Sequence, residues 1–340
     1  MQNIKQKIIV IAGPTATGKS DLAVQAAQKF SGEIISADSM QIYKKLDIGT
    51  AKVDIKTRKR VPHHLIDIVD FDNEFSAAQF AAMAKEAIEN IASRKKIPVV
   101  AGGTGLYIDS LLYPHGFSGA TKNPKIRAEL EKTAEEKGVD ALYQTLLEID
   151  EQSAEKIHRN DKKRIIRALE IYYSTGKTKS ESRDDMRESV YDAIFVGLNC
   201  ERKTLYNMID ERVDKMFESG LLSEIKFLER YPQRFSWQSM QAIGYKEFES
   251  YYLSGGTLTD NFSDNALTDK KISEQNSLNI ENCPQDELEK IKSAIKQNSR
   301  NYAKRQLTWF RRYKDIVWFD CIAQRGQALD YIAEKLKESN

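Results

Sequence analysis

The chain has 340 residues, 41% of them hydrophobic and 30% charged, with a net charge of +2. That length holds a large core and a second module, and the near-neutral balance means that any surface for nucleic acid has to be local. Three cysteines, Cys200, Cys283 and Cys321, stand far apart with no Cys/His spacing, which argues against a disulfide framework and a zinc site; no apolar run is long enough to span a bilayer, and a cytoplasmic protein is expected.

Residues 8–12 are a short β-branched run that predicts a buried strand, and residues 21–27 predict a helix. Between them runs Gly13-Pro14-Thr15-Ala16-Thr17-Gly18-Lys19-Ser20. Strand, glycine-rich turn, Lys-Ser and helix is the context in which this spacing marks a phosphate-binding P-loop. The glycines let the backbone curl so that several N–H groups face one anion, and the helix N-terminus adds partial positive charge. Lys19 brings a mobile full charge, and Ser20 can hold Mg2+. The pattern does not say which phosphorylated compound binds.

A second strand at 33–36 ends in Ala37-Asp38-Ser39-Met40-Gln41-Ile42-Tyr43. Residues just past strand C-termini face the ligand crevice of an open α/β sheet, which puts Asp38 and Ser39 beside the phosphates. Asp38 could instead cap the helical run that follows. Residues 47–52 are a loop, and His63 and His64 lead into an edge strand. Adjacent side chains of an extended segment point to opposite faces, which argues against a metal ion shared by the two histidines. Residues 76–92 carry Phe80, Met83, Ala84, Ala87, Ile88 and Ile91 at helical spacing, with Ser76 placed to cap them. Residues 97–101 predict a third core strand, which runs into Gly102-Gly103-Thr104-Gly105-Leu106-Tyr107, a second glycine-rich turn. The fold class is therefore α/β, a P-loop-type doubly wound parallel sheet. Many P-loop NTPases end this strand in an Asp or Glu that helps hold Mg2+. Gly102 and Gly103 stand there instead, so either a metal is held differently or no γ-phosphate is transferred.

From 116 to 189 apolar strands vanish and charged helical segments replace them, over 124–137, 139–148, 150–158 and 161–175. This reads as a helical insertion domain within a core made of residues 1–115 and 190–340. Residues 156–167 hold six Lys/Arg against one acid, and Arg164 and Arg167 share a helix face. A solvated basic face is the ordinary outcome of such a run. Residues 192–198 return to strand character. Residues 202–217 predict a helix with Leu205, Ile209, Val213 and Met216 as its apolar stripe; Arg212 lies beside the stripe, aimed at a site or ion-paired at the surface. A small-residue turn over 237–246 enters another helix, and the polar residues 254–286 read as a flexible loop. Between Lys290 and Lys314 there are nine Lys/Arg and no Asp or Glu. Lys292, Lys296, Arg300 and Lys304 recur every four residues as one basic stripe, with Tyr302, Trp309, Phe310 and Tyr313 interleaved. Basic groups grip a phosphate backbone and aromatics stack on bases, so the stretch predicts a nucleic-acid surface, with a basic face on a core-packed helix as the other reading. Residues 316–319 are a last short strand.

Taken together, residues 13–20, 38–43, 47–52, 102–107, 161–170, 243–245 and 304–311 resemble, in order and over nearly the whole chain, the tRNA dimethylallyltransferases, also called the IPP transferase or tRNA isopentenyltransferase family. The polar stretch 254–286 is longer than that pattern. The resemblance implies transfer of a dimethylallyl group from dimethylallyl diphosphate to N6 of adenine 37, 3′ of the anticodon. It further implies tRNAs that read codons beginning with U, Mg2+, release of pyrophosphate, and a monomer with no membrane and no obligate protein partner. It gives the diphosphate to Gly13, Pro14, Thr15, Ala16, Thr17, Gly18, Lys19 and Ser20, makes Asp38 the general base, and sets Lys19, Ser20 through Mg2+, and Arg212 to stabilise the leaving group. It implies contacts to the tRNA anticodon stem-loop from Asp38, Ser39, Met40, Gln41 and Thr104. Arg127, Lys163, Arg164, Ile165, Ile166 and Arg167 would add contacts from the insertion. Gln241, Gly244, Tyr245, Lys246, Lys304, Arg305, Gln306, Thr308, Trp309 and Arg311 would add those of the C-terminal part. The alternatives are a P-loop kinase binding ATP, an adenylate isopentenyltransferase, and an RNA-binding module regulated through its P-loop.

Overall fold

A computed structural model describes residues 5–114, 123–181, 188–255 and 283–338. The chain forms two compact units, Met1–Leu111 with Tyr191–Asn340, and Leu112–Val190.

The first unit is built on a six-stranded sheet in the order β3-β2-β4-β1-β5-β6, parallel at every pairing. The strands are β1 (Lys7–Ala12), β2 (Gly32–Ser36), β3 (His63–His64), β4 (Ile97–Gly102), β5 (Asp192–Asn199) and β6 (Val317–Asp320). Ile8, Ile9, Val10, Ile11 and Ala12 are all fully buried. A central parallel strand is covered on both faces, so its sequence reads as an unbroken apolar run rather than an alternation. The edge strand is the His63–His64 pair itself, opposite Ile34 and Ile35. His64 Nε2 meets the Glu33 carboxylate at 2.8 Å, whereas His63 Nδ1 lies 2.7 Å from the Val61 carbonyl, so the two rings serve different partners.

Helices α1 (Lys19–Lys29), α2 (Ile55–Arg60), α3 (Ala77–Ser93) and α4 (Gly105–Leu112) follow the early strands. The α3 N-terminus is a reciprocal cap: Gln79 N–H donates to Ser76 Oγ at 3.2 Å, and Ser76 N–H donates to Gln79 Oε1 at 2.9 Å. Its buried stripe is Phe80, Ala84, Ile88 and Ile91, and Met83 faces solvent.

The second unit holds α5 (Pro124–Lys137), α6 (Val139–Ile149), α7 (Glu151–Lys156) and α8 (Lys162–Thr175) around Leu130, Leu142, Leu146, Ile157, Ile165, Ile166 and Leu169. Glu170 is fully buried in this unit and takes Arg127 and Arg167, each at 2.8 Å, and the Asn123 N–H at 2.9 Å. Those three donors outweigh its burial and hold the carboxyl at about 2.

The first unit is completed by α9 (Arg202–Glu218), α10 (Leu221–Leu228), three short 3₁₀ turns, α11 (Glu249–Leu253), α12 (Gln285–Phe310) and α13 (Arg325–Lys337). The turn at 237–246 therefore leads into 3₁₀ turns and a five-residue helix rather than a long one. Of the loop expected over 254–286, residues 256–282 lie outside the described residues, and α12 has begun by Gln285, with Asp286 and Glu287 complementing its N-terminal dipole. No described helix is long and apolar enough to cross a membrane.

The basic stripe of α12 differs from a nucleic-acid surface for most of its length. Lys292 and Lys296 both reach Asp214 of α9, at 2.8 and 2.7 Å, and Arg300 takes Asp210 at 2.6 Å. Helix spacing that gathers cations on one face gathers them equally well against a facing acidic helix. Among the interleaved aromatics, Phe310 and Tyr313 are buried, and the Tyr313 hydroxyl donates to Asp109. They belong to the core rather than to a stacking surface.

Candidate active site

The turn between β1 and α1 is held from within. Thr17 Oγ1 and Lys19 Nζ both donate to the Pro14 carbonyl, at 2.9 and 2.6 Å. Gly18 sits at φ +72°, the left-handed conformation that lets the loop reverse into the first turn of α1. At the end of β4 the chain needs glycine again, because a Cβ on Gly102 would stand 2.1 Å from the Ala37 carbonyl oxygen. The C-terminal ends of β1, β2 and β4 thus come close enough to share one cleft.

Lys19, Ser20, Asp38, Arg212, Tyr302 and Gln306 line it. Burial, and then the positive charge of Arg212, lower the Lys19 ammonium to about 7, against the opposing pull of Asp38. Burial also lowers the Arg212 guanidinium, with Asp38 opposing. Burial, reinforced by Asp38, pushes the Tyr302 phenol up to about 12, so it stays protonated at neutral pH. The cleft therefore holds two poorly hydrated cations and one carboxylate, an arrangement that favours an incoming anion of high charge density.

No helix follows Asp38, so it is a turn residue rather than the helix cap the sequence allowed. Its Oδ1 accepts from the Met40 N–H at 2.9 Å and the Gln41 N–H at 3.4 Å, closing a turn, while the side chain lines the cleft. Thr104 Oγ1 accepts from the Ser39 N–H at 3.0 Å, and the Thr104 N–H donates to the Ala37 carbonyl, tying the two strand ends together. Gln41 is buried, with its amide directed at the carbonyls of Thr50 and Ala51 and its Oε1 accepting from Ser36.

Gln306 joins three segments. Its Oε1 accepts from the Thr15 N–H at 2.8 Å and its Nε2 donates to the Gly103 carbonyl at 2.9 Å, with the side chain buried. The Ala303, Gln306 and Phe310 spacing places it on the buried face of α12, a signal present in the sequence. Glu224 on α10 left no such signal, since a Glu on a short amphipathic helix looks like a solvent residue. It accepts from the backbone N–H groups of Asp47, Ile48 and Gly49 at 2.6, 2.9 and 3.0 Å, and from the Tyr245 hydroxyl. Burial still pushes its carboxyl upward against those four donors.

The residues implied as RNA contacts divide by exposure. Lys163, Arg164, Gln241, Lys304, Arg305, Thr308 and Arg311 are exposed, and Ser39, Met40, Thr104, Lys246 and Trp309 are half-buried. Ile165 and Ile166 are in the core of the helical unit, and Tyr245 is fully buried under Gly49, so these three side chains present no contact surface. Gly244 contributes its N–H to Glu247 at 2.8 Å. Arg127 and Arg167 are engaged by Glu170. Beside α12 lies a second, open groove, where Arg202, Lys304 and Arg311 surround Leu205, Tyr206 and Leu307. The Arg202 guanidinium lies 5.2 Å from the Tyr206 ring centre and donates to its hydroxyl at 2.9 Å. Among the described residues no group of three or more His, Cys, Asp or Glu could hold a metal ion.

Comparison with known proteins agrees with this geometry. A family model described as IPP transferase matches residues 41–313. A tRNA dimethylallyltransferase of Bacillus subtilis is 43% identical over 321 residues, 94% of this chain and 92% of its own. One from Bacillus cytotoxicus is 42% identical over 98% of this chain and 96% of its own. Among solved structures, the full-length tRNA isopentenylpyrophosphate transferase of Bacillus halodurans matches with a TM-score of 0.65 and 39% identity over 98% of each chain. A eukaryotic dimethylallyltransferase acting on tRNA matches with a TM-score of 0.75 and 33% identity, over 97% of this chain and 77% of that one. The likeness runs through the sheet, the helical unit and the helix that closes the cleft, not through a phosphate loop alone, and on that ground the chain belongs to the IPP transferase family.

Proposed function

We propose that the chain transfers a dimethylallyl group from dimethylallyl diphosphate to N6 of adenine 37 in tRNA, in the cytoplasm where that RNA resides. The observation that carries the reading is the company Asp38 keeps: a carboxylate sharing a cleft with the P-loop lysine and Arg212, where β4 ends in glycines instead of a metal-binding acid. Phosphoryl transfer would call for a metal-binding acid where β4 ends in glycine, whereas an alkyl transfer needs a base on one side of carbon and an anion hole on the other.

The N6 lone pair is delocalised into the ring, so the amine attacks the allylic carbon only as its proton is drawn away. Asp38 accepts that proton through the carboxylate oxygen that the Met40 and Gln41 amides leave available. The carbon–oxygen bond breaks, and the electron pair leaves with pyrophosphate. Lys19, Arg212 and the loop amides meet the charge that grows there, each donor lowering the barrier by on the order of 3 kcal/mol. The Ser20 hydroxyl, in the first turn of α1 and lining the same cleft, is a hard oxygen donor of the kind that fits Mg2+, an ion that takes few protein ligands and keeps waters and substrate oxygens. Bound there, Mg2+ would add charge neutralisation at the diphosphate. The adenine must leave its stack to reach the cleft. The exposed faces carrying Lys304, Arg305, Thr308 and Arg311, with Arg202 and Tyr206 beside them, suit a phosphate backbone; Lys163 and Arg164 offer a second grip on the helical unit.

The test is to incubate the protein with unmodified tRNA and dimethylallyl diphosphate and to analyse the nucleosides by mass spectrometry. N6-(dimethylallyl)adenosine is expected with the wild type. Asp38→Ala should lose about 10²–10⁴ in turnover while tRNA binding is largely kept. Transfer of phosphate from ATP to a small acceptor would overturn the reading.

A further inference from the structure

Arg325 opens α13, beyond the residues that the family model matches, and takes no part in the reaction described above. Its Nε donates to the Cys321 carbonyl at 2.5 Å, which fixes the plane of the guanidinium. Nη1 stands 3.9 Å from the Asp21 carboxylate in the first turn of α1, a long contact to a side chain 71% exposed. Nη2 lies against the P-loop: a Cβ on Gly18 would be 2.1 Å from it and 2.8 Å from the guanidinium carbon. The guanidinium therefore rests on the glycine that precedes Lys19, so that even a methyl group at position 18 would drive it away. An arginine carries five N–H donors, and here one carbonyl and one distant carboxylate engage them.

We propose that Arg325 is a positioning residue of the phosphate cradle, one that clamps the Gly18 turn from behind and sets a fixed positive charge beside the loop, so that the C-terminal helix tunes affinity for the diphosphate group. This rests on the reading of the P-loop as a diphosphate site. The exposed Asp21 opposes it, because its carboxylate draws the same guanidinium and repels the same anion.

The experiment is calorimetric titration of the full chain with inorganic pyrophosphate and Mg2+. Arg325→Ala is expected to weaken binding about tenfold, and Arg325→Lys to recover most of that loss, because the charge is kept although the fork is not. Asp21→Asn is expected to tighten binding about threefold, a change of sign that damage to the fold does not produce. In turnover, Arg325→Ala should raise KM for dimethylallyl diphosphate and leave KM for tRNA unchanged. Pyrophosphate affinity equal in the wild type and in a folded Arg325→Ala protein would overturn the proposal. If instead the wild type binds pyrophosphate no better than Lys19→Ala does, the diphosphate reading itself has failed.

Discussion

Lys19 is the residue on which the chemistry and the stability of the cleft pull in opposite directions. Burial and the neighbouring Arg212 lower its ammonium to about 7, so in the ligand-free protein the charge that a diphosphate needs is half lost at neutral pH. Affinity for pyrophosphate is therefore expected to fall about tenfold per pH unit as pH rises above 7, which titration from pH 6 to 9 would reveal. The sign for folding is the reverse. A lysine whose folded pKa lies below its unfolded one binds fewer protons when folded, so it opposes folding fully below about pH 7 and progressively less toward 10.5. Lys19→Met should accordingly be inactive yet more stable at pH 6, by about 1–2 kcal/mol in urea denaturation, with the gain shrinking by pH 9.

At the scale of elements, α12 joins two jobs that its sequence does not separate. Lys292, Lys296 and Arg300 are bound to Asp214 and Asp210 of α9, while Lys304 and Arg305 further along the same helix, and Arg311 just past its end, face solvent. Removing Lys304 should reduce the salt dependence of tRNA binding by about one unit of slope. Removing Lys296 should leave that slope alone and lower the melting temperature instead, because Asp214 loses a partner. Fluorescence binding across a salt series, with thermal melts, separates the two. The α10 carboxylate makes a parallel case. Glu224→Ala leaves three loop N–H groups without their acceptor and is expected to destabilise the protein by about 2–4 kcal/mol; Tyr245→Phe, which removes one donor and strands nothing, should lose about 1 kcal/mol.

At the scale of the whole molecule, the helical unit is pinned by charge inside its own core. The Glu170 carboxyl is held at about 2 by Arg127, Arg167 and the Asn123 amide, so its contribution is complete above the unfolded value of about 4.5 and is lost as pH falls toward 2. Circular dichroism should show acid unfolding in that window, and Glu170→Gln should weaken the unit at pH 7, since two arginines would then share a neutral partner. The parallel sheet was legible in the sequence because β1 is buried on both faces, and β1 and its neighbour β4 run into Gly13 and Gly102, where a Cβ would meet backbone. Arg212 was legible as a candidate because it flanks an apolar stripe. What stayed hidden was pairing at long range. Nothing near Lys296 announces Asp214, nothing near Glu224 announces the amides of residues 47–49, and a buried Ile165 looks like any member of a basic helix until its neighbours close over it.

The bridge made by Gln306 carries a consequence for how the protein comes off the ribosome. The phosphate-loop amide at Thr15 and the carbonyl at Gly103 are made early in translation, yet the side chain that links them is encoded nearly three hundred residues after the first. A nascent chain halted before that codon can fold its central strands but cannot finish its anion pocket, so substrate capture awaits the arrival of α12.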